Sequence, residues 1–302
     1  MIISDGHSIT ETASRELKAH EMAWVDLTRD QVQADPDLAH QFGGHDDIIR
    51  QALESRDRAT YINRYGIAIL TLFEPISGGV QPLTLVVGPQ YVLTIHDHLS
   101  PAVTQVRDML QTGRATYRSS AHLAYRLCLQ VADAFRDTAD TYEEAFDQLE
   151  DEVLDGQDRS HQVFAMRREL HLLRRQIAEE RRIASQLARE DWSQDQAASP
   201  FLDVYEALYH VIDNIDGLKD NLTGLVDLQL NQRSMRMNQV MKLLTIFSTV
   251  FLPLSFITGF FGMNFHSMVP ELSVPHGQLW VLGLMLSVVV TMLSYFKRHH
   301  WI

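Results

Sequence analysis

Three kinds of hydrophobic patterning follow one another along the chain. In the first third, short apolar runs sit between polar segments. Ala23-Trp24-Val25-Asp26-Leu27 reads as a strand, as does the β-branched run from Tyr65 to Phe73. Leu83 to Val87 and Tyr91 to Ile95 flank Gly88-Pro89-Gln90, which predicts a hairpin with a short turn. Asp46 to Ser55, between the first two strands, carries a helical pattern. Residues 1–118 are therefore expected to form a domain of mixed helices and a moderate sheet, an α+β unit.

After Ser119 the period becomes helical. Ala121 to Leu154 has neither Gly nor Pro, and Gly156 follows it. Ser160 to Arg189 repeats the pattern, so residues 119–199 are expected to be a helical hairpin. Its first helix ends acidic (Glu143, Glu144, Asp147, Glu150, Asp151, Glu152, Asp155). The second carries Arg167, Arg168, Arg174, Arg175, Arg181 and Arg182. The hairpin could set these faces against each other, or both could be solvated. Pro200 suits a helix start. No proline follows until Pro253, and one helix over 200–263 is expected, with Gly217 and Gly224 tolerated inside it.

The third pattern is continuous apolarity. No Asp, Glu, Lys or Arg occurs from Leu243 to Phe265, nor from Leu272 to Phe296. Val240 to Phe261 and residues 279–296 are each long enough to cross a bilayer. Arg233, Arg236 and Lys242 precede the first span, and Lys297 and Arg298 follow the second in the tail 297–302. The loop 264–278 holds only Glu271. The positive-inside rule then puts both termini in the cytoplasm and makes the chain a multi-pass protein of the plasma (inner) membrane. Met1 to Trp24 carries charges and lacks an apolar h-region, so no signal peptide is expected.

Two helices cannot enclose an aqueous path, so conduction would require several chains around one axis. Asn238, Met241, Thr245, Ser248, Leu252, Ser255 and Gly259 advance by steps of three and four, which places them on one helix face. That stripe of amide, hydroxyl and glycine, with bulky Met241 and Leu252, suits either a pore lining or close helix packing.

Charge sharpens the picture. The 302 residues carry 26 Lys and Arg against 39 Asp and Glu, a formal net charge of −13. Nucleic acid is thereby disfavoured as a partner, and cations are favoured. The single cysteine, Cys128, excludes an internal disulfide and reads as a buried small hydrophobe. No phosphate loop, nucleophile elbow, CxxC or HExxH spacing appears, so an enzyme is not expected.

The first span ends in Gly262-Met263-Asn264, followed by a charge-poor loop and one last span. In that setting the tripeptide resembles the signature of the CorA-type magnesium channel family. The runs Asn238 to Ile246 and Phe251 to Gly259 look like its pore helix. Pro270-Glu271-Leu272 looks like its acidic loop, and Tyr295-Phe296-Lys297-Arg298 with Trp301 like its basic end. The resemblance implies a funnel-shaped homopentamer for divalent cations, most simply Mg²⁺ influx, with a selectivity ring of Asn264. It implies hydrophobic constrictions at Leu244 and Leu252, with Asn238, Ser255 and Gly259 facing the pore. It also implies an acidic ring at Asp227 and a regulatory Mg²⁺ ligand at Asp203. Neutral amide oxygens can hold a hydrated Mg²⁺ without trapping it.

The loop departs from this pattern. It is longer than expected and carries His266 and His276, with His299 and His300 near the end. Imidazole suits Zn²⁺ better than Mg²⁺, which points toward the family's ZntB-like zinc-transporting branch. A third reading is a membrane-anchored cation sensor that does not conduct.

Overall fold

The computed structural model describes residues 2–4, 9–11, 21–34, 46–54, 58–76, 79–117, 119–189, 200–262, 277–299 and 301. In chain order these give β1 Ile2–Ser4, β2 Ile9–Glu11, β3 Met22–Thr28, α1 Arg29–Ala34, α2 Asp46–Glu54, β4 Thr60–Arg64, β5 Ile67–Ile76, β6 Gly79–Val87 and β7 Tyr91–His96. Five helices follow: α3 Pro101–Gln111, α4 Ser120–Leu154, α5 Ser160–Leu187, α6 Phe201–Phe261 and α7 Gly277–Arg298. The chain divides into two compact units, Met1–Val226 and Asp227–Ile302.

The first unit is built on a seven-stranded sheet in the order β2-β1-β3-β7-β6-β5-β4. Among the described strands only β3 and β7 pair in parallel. The other pairs are antiparallel, which makes the unit α+β. Alternate residues of the central strands feed two cores. On one face Val25, Leu27, Ile69, Val86, Leu93 and Ile95 bury against Val32 of α1 and Ile48, Ile49 and Ala52 of α2. On the unit's helical side, Leu123, Ala124, Leu127 and Val131 of α4 are buried. Cys128 is buried there too, and burial pushes its thiol up to about 12, so it is no nucleophile.

Two strand boundaries follow turn chemistry. The second strand does not start at Tyr65. Tyr65 and Gly66 both have positive φ, 56° and 77°, and make the two-residue turn between β4 and β5, so the strand starts at Ile67. β6 and β7 form the expected hairpin, closed by Gly88 N–H donating to the Tyr91 carbonyl at 2.9 Å.

β4 is shorter than β5. Its first residue, Thr60, pairs with Thr71. Beyond it, past the end of β4, the Phe73 N–H donates to Glu180 of α5 at 2.7 Å. Glu180 is 2% exposed and lines a cavity of about 10 Å³ with Leu72, Cys128, Ile183, Val204 and Leu208. Burial first, then the neighbouring Glu74 and Glu179 charges, drive its carboxyl well above the usual range against the Phe73 hydrogen bond.

The charged hairpin faces do not pair as one of the two expectations had it. Arg159, just before α5, forms an ion pair with Glu152 at 2.9 Å, and Tyr142 donates to Glu169 at 3.1 Å. Arg174 turns to Asp216 of α6 at 2.7 Å, and Arg181 lies 5.8 Å over the Tyr205 and Tyr209 rings. The hairpin is thus tied to the first half of α6 through arginine, while most of its acidic side chains stay solvated.

Candidate functional site: an unburied apolar helix and its polar stripe

Helix α6 is continuous over 61 residues. Its character changes along its length. In the first unit, Phe201, Val204, Leu208, Val211, Ile215, Leu218 and Leu222 recur at helical spacing and are buried. In the second unit an 18-residue window reaches a mean hydropathy of 1.9 with none of it buried, and α7 reaches 2.1 with 6% buried. A soluble core helix hides its apolar side chains. These two leave them uncovered in the single chain, as a lipid-facing helix does.

Pro253 lies inside α6 and has no N–H to give the Thr249 carbonyl. Threonines around it turn their hydroxyls onto the helix. Thr245 donates to the Met241 carbonyl at 2.8 Å, Thr249 to Thr245 at 2.7 Å, and Thr258 to Leu254 at 3.1 Å. Such bonding satisfies a hydroxyl in apolar surroundings and favours bending.

All members of the expected stripe, Asn238, Met241, Thr245, Ser248, Leu252, Ser255 and Gly259, are exposed in the single chain, and so is Leu244. Leu252 is 73% exposed. Thr245 offers acceptor lone pairs rather than a donor, since its proton is used within the helix.

Gly262 ends the helix with its N–H donating to the Thr258 carbonyl at 2.9 Å. A Cβ placed there would meet that same oxygen at 2.9 Å, too close for an alanine without a backbone shift. The first position of the Gly-Met-Asn run is therefore set by space. Met263, Asn264, His266, Glu271 and His276 lie outside the described residues.

Asp203 stands exposed in the first turn of α6, where a carboxylate suits the helix dipole. It accepts a hydrogen bond from the Tyr125 hydroxyl at 3.1 Å. Tyr125 is buried between His122, stacked at 6.2 Å, and Phe201, edge-on at 6.1 Å. Burial first and then Asp203 push the phenol up, which keeps it a donor. No sequence pattern pointed to Tyr125, which comes from α4. Asp227 is exposed. Among the described residues no three His, Cys, Asp or Glu side chains converge to hold a metal. A divalent ion at Asp203 would need water or another copy for its remaining ligands.

A second ionic cluster went unread. Asp26 of β3 accepts from Thr94 and Arg107 and lies 3.0 Å from His96 Nε2. Burial raises Asp26, but the hydrogen bonds of His96 and Thr94 and the charges of His96 and Arg107 hold it below the usual carboxylate range. His96 is moved up by Asp26 against its own burial. Arg107 also lies 5.9 Å over the Trp24 ring. The cluster clamps α3 to the parallel strand pair, a structural use.

Comparison with known proteins agrees with this anatomy. The cobalt/magnesium transport protein CorA of Thermotoga maritima is 28% identical over 298 residues, spanning 92% of this chain and 83% of that protein. The zinc transport protein ZntB of Yersinia pseudotuberculosis is 26% identical over 215 residues, 67% of this chain and 62% of that one. The complete structure of the CorA magnesium transporter from Methanocaldococcus jannaschii superposes with a TM-score of 0.86 at 22% identity, covering 100% of this chain and 98% of that chain. The model of the CorA-like Mg²⁺ transporter protein family matches residues 19–298, and the chain belongs to that family of divalent-cation transporters, not to an enzyme family.

Proposed function

We propose that this chain is one subunit of a funnel-shaped homopentameric channel that admits Mg²⁺ through a central pore lined by α6. The observation that carries the reading is the stripe of small and polar side chains on a helix whose apolar window is otherwise unburied. Parallel copies would bring the stripes to one axis and leave the apolar sides to lipid. Asn264 forms the outer selectivity ring, with Gly262 and Met263 shaping the backbone there. Leu244 and Leu252 are the constrictions that gate by dewetting. Both termini lie in the cytoplasm, the orientation that the flanking Lys and Arg favour. Asp203 and Asp227 bind regulatory Mg²⁺, and loss of that ion loosens the closed form by differential affinity.

Zn²⁺ transport is the second reading, favoured by His266 and His276 in the outer loop and by the similarity to ZntB. Flux into liposomes, with Mg²⁺ and Zn²⁺ compared side by side, separates the two. Asn264→Ala is expected to abolish uptake while the oligomer stays assembled. Wild-type flux through the assembled variant refutes the Asn ring.

A further inference from the structure

Helix α4 presents Asp137, Asp140, Glu144, Asp147 and Asp151 at alternating steps of three and four, all exposed. Helix α5 presents Arg168, His171, Arg175 and Arg182 on one face, also exposed. Asp137 to Asp151 and Arg168 to Arg182 span the same number of positions, about 21 Å of helix each. Among the described residues, none of these five carboxylates is held by a hydrogen bond or an ion pair. Neither is Arg168, His171 or Arg175, and Arg182 reaches only Gln186 of its own helix, at 3.5 Å. The arginine face is shallowly hollowed. A hollow of about 350 Å³ is lined there by His171, Arg174, Arg175, Ala178, Glu179 and Arg182.

Like charges at helical spacing repel, and each such pair costs a few tenths of a kcal/mol unless a partner offsets it. The hairpin that carries both faces does not pair them. It spends Glu152 on Arg159 and Glu169 on Tyr142 instead. A nucleic acid or anionic surface would be repelled by the acidic face and by a net charge of −13. The chain itself supplies a surface of equal length and mainly opposite sign, in which Glu179 is the one acid lining the hollow. A ring of more than two copies needs just such a pair of unlike faces, since its contacts are heterologous.

We propose that the acidic face of α4 in one copy docks on the arginine face of α5 in the next copy around the ring. The proposal rests on the cyclic homo-oligomer put forward above. Exposed charge contacts of this kind govern association and exchange more than total stability, and salt screens them within about 8 Å at physiological strength.

The test is subunit exchange between two fluorescently labelled populations of the full-length protein in detergent, read by energy transfer at low salt. The acid-reversed variant is Asp140→Lys, Glu144→Lys and Asp147→Lys. The base-reversed variant is Arg168→Glu, Arg175→Glu and Arg182→Glu. Each alone is expected to exchange about tenfold faster than wild type, as wild type does in high salt. Acid-reversed and base-reversed copies mixed together are expected to form mixed oligomers in preference to their own kind. If a reversed variant does not fold by circular dichroism, the neutralising set Asp140→Asn, Glu144→Gln and Asp147→Asn takes its place, with about threefold faster exchange expected. Unchanged exchange in both variants overturns the proposal. So does faster exchange without preferential mixing, which would place the partner of the acidic face elsewhere, as at the basic residues flanking the membrane spans. Light scattering on the wild type checks the foundation separately. A monomer or dimer there refutes the ring itself.

Discussion

Glu180→Gln changes one charge and almost no volume, and the amide oxygen can still accept the Phe73 N–H, which Glu180 accepts at 2.7 Å. In the folded chain the carboxyl is 2% exposed, with its affinity for a proton raised well above the ordinary 4.5. In the unfolded chain it titrates normally. Below the unfolded value both states hold the proton, and the side chain costs nothing electrostatic. As pH rises above that value the unfolded state ionises first, so the folded state loses about 1.4 kcal/mol of stability per pH unit until its own carboxyl ionises. The amide of the variant does not titrate and has no such dependence. The variant's advantage over wild type should therefore grow by about 1.4 kcal/mol for each pH unit above the unfolded value and level off beyond the folded-state value. In urea, with a slope near 2–3 kcal/mol/M, this is a widening of about 0.5 M per pH unit between the two midpoints. Far-UV circular dichroism of both proteins in one detergent at stepped pH gives the comparison. A midpoint difference that stays constant with pH would show that Glu180 does not carry a proton in the folded state and would refute the argument.

Leu252→Ser should raise basal cation flux in liposomes, because a hydroxyl lets the constriction wet; unchanged flux removes Leu252 from the gate. Asp203→Ala should weaken the Mg²⁺-dependent protection of α6 from protease. Identical Mg²⁺ titrations for variant and wild type would remove Asp203 from regulation.

Elements that carry their own local signal were readable in advance. α4 ran to Leu154 as expected because no Gly or Pro interrupts it. α6 stayed whole through Gly217 and Gly224 because buried apolar side chains fix the helix on its first unit. β1 and β2 are three residues each, too short for alternation to register. α3 was unread although Ser100 caps it with a hydrogen bond from Val103 N–H at 3.1 Å. Tyr65 shows how strand propensity misleads, since a residue of high β propensity occupies the turn. The candidate site divides the same way. The stripe on α6 is a local periodicity, so sequence shows it. Tyr125 meets Asp203 across 78 positions, and Asp26 meets Arg107 across 81. No window of sequence contains such pairs, because tertiary packing makes them.

The short β4 has a consequence during synthesis. β5 leaves the ribosome well before α5, and Phe73 must wait 107 residues for Glu180. At about 5–20 residues per second the interval is roughly 5–20 s. Over that time the edge of β5 opposite β6 has, past Thr71, no strand beside it among the described residues, next to the apolar stretch Ile67 to Phe73. Such an edge can pair with the same strand of another nascent chain. In the finished fold the buried carboxyl of Glu180 accepts the Phe73 N–H of that edge. Chains truncated before α5 should therefore accumulate as aggregates even though every strand of the sheet is present.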